Sequence, residues 1–225
     1  MDNSMDRRKF LGGAAGAVAA FTIVPSSVLG GAEGQPPSEK LNLAAIGVGG
    51  MGSSNISQCS SENFVALCDV DDNYAAKVFD KFPNAKKYKD FRVMLDKEDK
   101  NIDGVVIATP DHTHGVIGMA CIQRGKHVYL QKPLAHSIYE VRKLTEAARE
   151  AKVQTQMGNQ GHSSEEIRML SEWIADGAIG PVHEVYAWSD RPVGGDPWSD
   201  FPVMARPKDT PDVPKTLDWD LWLGP

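Results

Sequence analysis

The chain of 225 residues is long enough for one large domain or one and a half ordinary ones, and a hydrophobic content of 41% suits a packed core. Its 30 acidic and 24 basic residues leave a formal charge of −6, which argues against nucleic acid as the main partner. Three cysteines, Cys59, Cys68 and Cys121, are odd in number and lack metal-ligand spacing, so they read as small buried hydrophobes and no metal site is expected.

Residues 1–32 stand apart from the fold. Arg7-Arg8-Lys9-Phe10-Leu11 leads into an Ala/Gly-rich apolar segment, Gly12 to Val24, followed by Pro25 and small residues. This order resembles a twin-arginine (Tat) export signal, with cleavage near Gly30-Gly31-Ala32 or at Ala20. The apolar segment is shorter than the roughly 20 residues of a membrane span, so no stable span is expected. The resemblance implies a periplasmic or otherwise exported protein, with the Tat machinery as a partner. Residues 33–39, which include Pro36 and Pro37, read as a linker.

The next stretch, Leu41 to Gly52, is an apolar run ending in Gly-x-Gly-x-x-Gly at Gly47, Gly49 and Gly52. Ser53 to Cys59 then suits a helix. A strand, a glycine turn and a helix form the platform that a dinucleotide needs. Gly47 allows the tight turn, Gly49 lets a pyrophosphate approach the backbone, and Gly52 lets helix and strand pack closely. Gly50 and Met51 lie inside the same turn, and the helix N-terminus offers free N–H groups to phosphate.

Phe64 to Cys68 is the next buried-type strand, and Asp69-Val70-Asp71 follows it. Asp69 lies about 20 residues after Gly47, the spacing of a carboxylate that holds the adenosine ribose hydroxyls. Asp69 could instead cap the helix of Asp72 to Phe82, but Asp71 or Asp72 fits that role better. A carboxylate at Asp69 repels a 2′-phosphate, so NAD is preferred over NADP.

Lys86-Lys87-Tyr88 reads as a short strand, and Asp90 caps a helix through Leu95. The charged run Asp96 to Lys100 reads as a solvated turn. Gly104 to Ala108 is a buried strand that leads into Thr109-Pro110-Asp111-His112-Thr113-His114 and a helix ending near Gln123. His127 to Leu130 is a strand ending in Gln131-Lys132-Pro133. Ser137 to Ala151 is a helix, and Val153 to Met157 a strand ending in Gly158-Asn159-Gln160-Gly161-His162. Ser163 to Glu166 opens a further helix with capping-type residues. Strand and helix thus alternate, and each polar loop set falls at a strand's carboxyl end. The fold class is α/β, a Rossmann-type doubly wound parallel sheet over residues 40–162.

Residues 163–225 read as a connecting helix and the beginning of an incomplete second domain, α+β in class with an open antiparallel-type sheet. Val182 to Trp188 alternates as a half-exposed strand would. His183 on it reads as structural. Trp198, Trp219 and Trp222 have no local packing partners in the sequence.

The set Gly47-x-Gly-x-x-Gly52, Cys68-Asp69-Val70-Asp71, Ala108-Thr109-Pro110-Asp111-His112-Thr113-His114 and Gln131-Lys132-Pro133-Leu134 resembles the glucose–fructose oxidoreductase / inositol dehydrogenase / rhizopine-catabolism family (Gfo/Idh/MocA). The likeness covers roughly Lys40 to Ala187. The closing Trp219-Asp220-Leu221-Trp222-Leu223-Gly224-Pro225 also resembles exported bacterial members. The resemblance implies that the glycine turn binds the NAD pyrophosphate and that Asp69 binds the adenosine ribose. It implies that Thr109, Pro110 and His114 line the nicotinamide side, and that Lys132 sits beside nicotinamide and substrate. It further implies a cis Lys132–Pro133 bond. Gln131 stands where the family usually has glutamate, which removes a carboxylate next to Lys132.

The implied reaction is hydride transfer between nicotinamide and a secondary hydroxyl of a sugar, polyol or related cyclic alcohol. Lys132 can take or orient the hydroxyl proton. His162 either contacts substrate or simply begins the helix that follows. Asn159 and Gln160 suit sugar hydroxyls or local turn bonding. His112 reads as a loop or helix-start residue. An NAD-dependent glycoside hydrolase of the same fold is the alternative, with transient oxidation, elimination and re-reduction. A non-catalytic dinucleotide-binding protein is the third reading. In the family the usual acid/base histidine belongs to the second domain, so the chain alone is expected to turn over poorly. The complete protein is expected to be a homo-oligomer.

Overall fold

The computed structural model describes residues 36, 39–188 and 210–225. The expected signal at 1–32, most of the linker and Trp198 lie outside the described residues. Six parallel strands form one sheet: β1 (Asn42–Ile46), β2 (Asn63–Cys68), β3 (Lys86–Tyr88), β4 (Gly104–Ile107), β5 (His127–Gln131) and β6 (Thr155–Gly158). Their order is β3-β2-β1-β4-β5-β6. The chain leaves β1 toward one edge, returns, and continues toward the other edge, so the polarity of winding reverses between β1 and β4. That reversal opens a crevice at the carboxyl ends. The helices are α1 (Gly50–Gln58), α2 (Asp72–Lys81), α3 (Phe91–Glu98), α4 (His114–Gln123), α5 (Ile138–Ala151), α6 (Glu165–Ala175) and the short α7 (Trp219–Leu223).

Both faces of the sheet are covered over its central strands, which is why β1, β2 and β4 are mostly apolar rather than alternating, while the edge strands β3 and β6 are polar and largely exposed. Leu43, Ala45, Leu67 and Val106 pack with Ile56 of α1 and with Ala75, Val78 and Phe79 of α2. Ala44, Ile46, Val105 and Ile107 face the other way, against Met94 and Leu95 of α3, Ile117 and Cys121 of α4, and Leu144 of α5. Helices α2, α3 and α5 start where short polar side chains satisfy free N–H groups. Asp71 caps α2 by accepting from Asn73 and Tyr74, Asp90 caps α3, and Ser137 caps α5. Gly125, at φ +71°, turns the chain after α4, where a side chain would be strained.

Three sequence expectations change. Helix α1 begins at Gly50, inside the glycine motif, rather than at Ser53. The run Asp96 to Lys100 is not a solvated turn, because α3 continues to Glu98 and Glu98 is buried. There its carboxylate accepts from Lys86 Nζ at 2.8 Å, Tyr88 Oη at 2.6 Å and Asn101 Nδ2 at 3.1 Å. Finally, Val182 to Trp188 joins no strand in the described residues and stands exposed, with Val185 81% and Trp188 87% accessible. Alternation gives a strand only where a neighbour supplies hydrogen bonds.

Candidate functional site

Strand register lines up the residues at the carboxyl edge. The last row paired across all six strands is Tyr88, Cys68, Ile46, Ile107, Leu130 and Met157. One residue further on stand Asp69, Gly47, Ala108, Gln131 and Gly158. The next level holds Val48, Thr109, Lys132 and Asn159. Sheet order therefore sets out the glycine turn, Thr109, Lys132 and Asn159 side by side, with Asp69 at the opposite end.

The glycine turn is built as close as its composition allows. Gly47 has φ +75°, and a Cβ there would lie 2.7 Å from the Ala108 backbone. A Cβ on Gly52 would lie 1.9 Å from the Gly47 carbonyl oxygen. Gly49 is the N-cap of α1, no side chain caps that helix, and its first turn holds no acidic residue. The N–H groups of that turn thus face the crevice with no competing carboxylate on their own helix.

Asp69 is buried, and its Oδ2 accepts from Val48 N at 2.8 Å and Gly49 N at 3.3 Å. Its Oδ1 accepts from Asp71 N at 3.1 Å. Asp71, not Asp69, caps α2. The carboxylate at the end of β2 therefore ties the glycine turn to the β2 loop, a role that spacing alone does not reveal.

Lys132 is exposed at the end of β5, and the Lys132–Pro133 bond is cis. Gln131 is buried behind it. Its Oε1 accepts weakly from Lys132 N at 3.3 Å, while its Nε2 is buried without a hydrogen-bond partner. Gln131 thus packs against the Gly158 backbone instead of lining the open crevice; a Cβ on Gly158 would lie 2.7 Å from Nε2.

His114 is also set back, at 1% exposure. Its Nδ1 lies 2.5 Å from Pro133 O and its Nε2 2.8 Å from Thr109 O. Both ring nitrogens lie against backbone carbonyls, the protonated one donating to its oxygen, so the ring sits between the loop after β4 and the loop after β5. Thr109 is half-buried and its Oγ1 accepts from Thr113 Oγ1 at 2.8 Å, whereas Pro110 is exposed. Asn159 and His162 are exposed on the turn after β6. Gln160 is engaged elsewhere: its Nε2 donates to Asn55 Oδ1 at 3.3 Å and approaches Met51 Sδ at 3.8 Å. It joins the β6 turn to α1.

A cavity of about 520 Å³ opens at this edge. It is lined by Gly47, Gly49, Asp69, Thr109 and Pro110. It is also lined by residues that local sequence does not single out as site residues: Tyr74, Phe91, Val116, Leu221 and Trp222. Tyr74 lies over the glycine turn; its ring would meet a Cβ on Gly49 at 2.1 Å. Two of the tryptophans for which the sequence offers no packing partner, Trp219 and Trp222, have partners here. Trp219 and Trp222 stack at 5.0 Å, and Trp222 lies 5.2 Å from the His112 ring.

The residues present fit a dinucleotide: a close-approach glycine turn, an uncapped helix N-terminus and a carboxylate at the end of the adjacent strand. Among the described residues no group of three or more His, Cys, Asp or Glu side chains could hold a metal ion. None of the described helices is long and apolar enough to cross a membrane.

Residues 41–159 match the sequence profile of the Gfo/Idh/MocA oxidoreductase family, NAD-binding Rossmann fold. The chain is 26% identical over 155 residues to myo-inositol 2-dehydrogenase of Thermotoga maritima, covering 68% of this chain and 46% of the relative. It is 29% identical over 148 residues to inositol 2-dehydrogenase of Rubrobacter xylanophilus, covering 64% and 42%. The solved structure of GenD2 from gentamicin A biosynthesis, in complex with NAD, matches with a TM-score of 0.59 and 26% identity, over 70% of this chain and 43% of that one. The chain therefore spans less than half the length of these relatives. Fold, register row and matched residues agree, and the chain belongs to the Gfo/Idh/MocA family of oxidoreductases with an NAD-binding Rossmann fold.

Proposed function

We propose that the protein is an NAD-dependent oxidoreductase that moves a hydride between nicotinamide and a secondary hydroxyl of a sugar, polyol or related cyclic alcohol. The observation that carries this reading is the succession along the carboxyl edge from Asp69 through the glycine turn to Thr109, Lys132 and Asn159. It supports a dinucleotide laid across the sheet edge with its reactive end toward Lys132. The inositol dehydrogenases among the relatives support the substrate class.

Bound nicotinamide supplies the carbon that accepts or returns the hydride. The chain's own residues do the rest. Gly49 lets the pyrophosphate approach the backbone, and Gly50, Met51 and Gly52 present N–H groups to it. Asp69 accepts from the ribose hydroxyls and repels a 2′-phosphate, which favours NAD over NADP. Thr109 and Pro110 flank the nicotinamide end, and His114 holds their loop in place. In alcohol oxidation the neutral Lys132 amine takes the hydroxyl proton, and in the reverse direction the resulting ammonium polarises the carbonyl oxygen and returns that proton. His162 and Asn159, exposed on the next loop, meet the substrate hydroxyls.

The substrate side is completed by a second domain, through which the whole protein forms a homo-oligomer. Ile167, Leu170, Trp173 and Ile174 support this reading, since they leave one face of α6 apolar and exposed. The protein is exported by the Tat route, and Arg7-Arg8 ahead of the apolar segment supports that. Replacing both arginines by lysine should then keep the protein in the cytoplasm.

Incubation of the full-length protein with NAD and a panel of cyclic polyols tests the reaction. Accumulating NADH supports it. Release of free sugar from a glycoside without NADH identifies the glycosidase reading instead. NAD binding with neither product identifies a binding protein. Lys132→Ala should remove turnover and leave NAD affinity within about twofold.

A further inference from the structure

The segment from Thr216 to Pro225 lies across the crevice rather than away from it. Leu217 forms an antiparallel bridge with Asp71 at the end of β2. Asp72 N donates to Thr216 O at 3.2 Å, and Asp218 N donates to Val70 O at 2.9 Å. Asp218 then caps α7 through Leu221 N at 3.1 Å. The far end is anchored after β4, where His112 Nε2 lies 2.8 Å from Trp222 O and a Cβ on Gly224 would meet Thr113 Cγ2 at 3.3 Å. Strand β1 lies between β2 and β4, so a segment fixed at both passes over the end of β1.

The cavity beneath this segment changes character along its length. Gly47 and Gly49 line its phosphate side, and Asp69 lines its ribose side. Val70, Phe91, Val116, Ile117, Leu221 and Trp222 supply apolar walls. Lys89 and Arg92 also line the cavity, with Asp71, Asp90 and Asp220, but both cations are neutralised: Lys89 pairs with Asp72 at 2.8 Å and Arg92 with Asp90 at 2.7 Å. An apolar slot beyond a ribose carboxylate suits a flat, uncharged heteroaromatic ring rather than a second phosphate.

We infer that Thr216–Pro225 is the outer wall of the adenine pocket, and that Leu221 and Trp222 enclose the base and hold the dinucleotide in place. The inference rests on the NAD reading and adds to it a specific set of base-contacting residues. A tightly enclosed adenine also suits a protein that carries its cofactor through export, since free dinucleotide is not resupplied afterwards.

Calorimetric titration of the full chain with NAD, ADP-ribose and nicotinamide mononucleotide tests this. Trp222→Ala and Leu221→Ala should each weaken NAD and ADP-ribose about tenfold, as loss of a base-enclosing side chain does. Binding of nicotinamide mononucleotide should not change. Trp222→Phe should restore most of the affinity. A far-ultraviolet dichroism spectrum and melting temperature equal to those of the parent show that the variants are folded. Asp218→Ala, which uncaps α7 without touching the cavity's apolar walls, should give a smaller loss in the same direction. Affinities for ADP-ribose within twofold of the parent in both alanine variants overturn the inference, as does tighter binding, which would make the segment an obstruction. If the parent itself binds neither NAD nor ADP-ribose, the NAD reading falls and this inference with it.

Discussion

Adding one methyl group at Gly49 and at Gly52 should have different consequences, although the two glycines belong to one motif. At Gly49 the backbone is ordinary, with φ −76° and ψ 175°, so alanine brings no conformational strain. Its Cβ would strike the Tyr74 ring at 2.1 Å, but Tyr74 is 62% exposed and can rotate away. The stability cost should stay within about 1 kcal/mol. At Gly52 the obstacle is the Gly47 carbonyl oxygen at 1.9 Å, with the carbonyl carbon at 2.9 Å. Backbone cannot rotate away, so α1 must lift from β1 by more than 1 Å to reach ordinary contact. Overpacking of this kind costs about 3 kcal/mol, offset by roughly 1 kcal/mol of helix propensity. A net loss of about 2 kcal/mol lowers the melting temperature by roughly 4–8 °C. Ligand binding should follow a different pattern. Gly49→Ala should fold and yet bind NAD at least tenfold more weakly, because its Cβ stands on the face that phosphate approaches. Tyr74→Ala added to Gly49→Ala should recover the lost stability but not the affinity. Thermal unfolding by circular dichroism and calorimetric NAD titration read the two effects separately. The reasoning is refuted if Gly52→Ala melts with the parent while Gly49→Ala is the unstable variant.

Other outcomes follow from groups behind the site. Hydrogen bonding to Lys86 and Tyr88 holds the Glu98 carboxyl down at about 2. Its unfolded value is near 4.3, so Glu98 stabilises the fold fully above that pH and loses the contribution as pH falls toward 2. Burial and the bond to Glu98 push Tyr88 up to about 12, so its contribution is present below about pH 10 and is lost as pH rises through 12. Glu98→Gln should lower unfolding free energy by about 1–3 kcal/mol at neutral pH and flatten the acid limb of a pH series of urea melts; an unchanged acid slope contradicts this. Asp69→Asn removes the charge that Val48, Gly49 and Asp71 N–H groups share. It should cost about 2–3 kcal/mol in the same melts and narrow the preference for NAD over NADP. Burial raises the Cys68 thiol well above its usual range and pushes Cys121 up to about 12. A thiol-specific chromogenic disulfide at neutral pH should therefore label Cys59 at most in the folded chain and reach Cys68 and Cys121 only after unfolding; rapid labelling of either buried thiol without denaturant contradicts the packing.

The legible parts of the fold were those with local physical causes. Buried parallel strands are apolar on both faces, so Phe64 to Cys68 and Gly104 to Ala108 stood out. Glycines are required where backbones touch, and Asp or Ser is required where helix N–H groups are exposed, so Gly47, Asp71, Asp90 and Ser137 could be placed from sequence. The features that depend on distant partners were not legible. Glu98 sits three residues after Leu95, on the buried side of α3, and only the arrival of Lys86 and Tyr88 from β3 makes a buried carboxylate tolerable. Spacing of three from an apolar residue was the available signal. Trp222 meets His112 across more than a hundred residues of chain, which no local pattern reports. Val182 to Trp188 fails in the opposite direction: its alternation predicts a strand, and among the described residues it pairs with none.

His114 shows why a motif can be right about a position and wrong about a contact. Its place in Thr109 to His114 suggested a side chain facing nicotinamide, yet its ring is buried with both nitrogens against Thr109 O and Pro133 O. Asp69 does the same for the glycine turn and the β2 loop, and Gln160 for the β6 turn and α1. His114 and Asp69 each join loops that follow different strands, and the exposed Gln160 ties the β6 turn to α1. The carboxyl edge is therefore cross-linked by hydrogen bonds before any ligand arrives. Loops that move independently lose entropy when a ligand gathers them, and a ligand's affinity falls accordingly. Loops already joined through buried polar side chains present Gly49, Thr109 and Lys132 with little further ordering. On this view the residues that touch ligand and the residues that make the touching effective are different sets. A sequence motif marks both without separating them, and only burial and hydrogen-bond partners tell them apart.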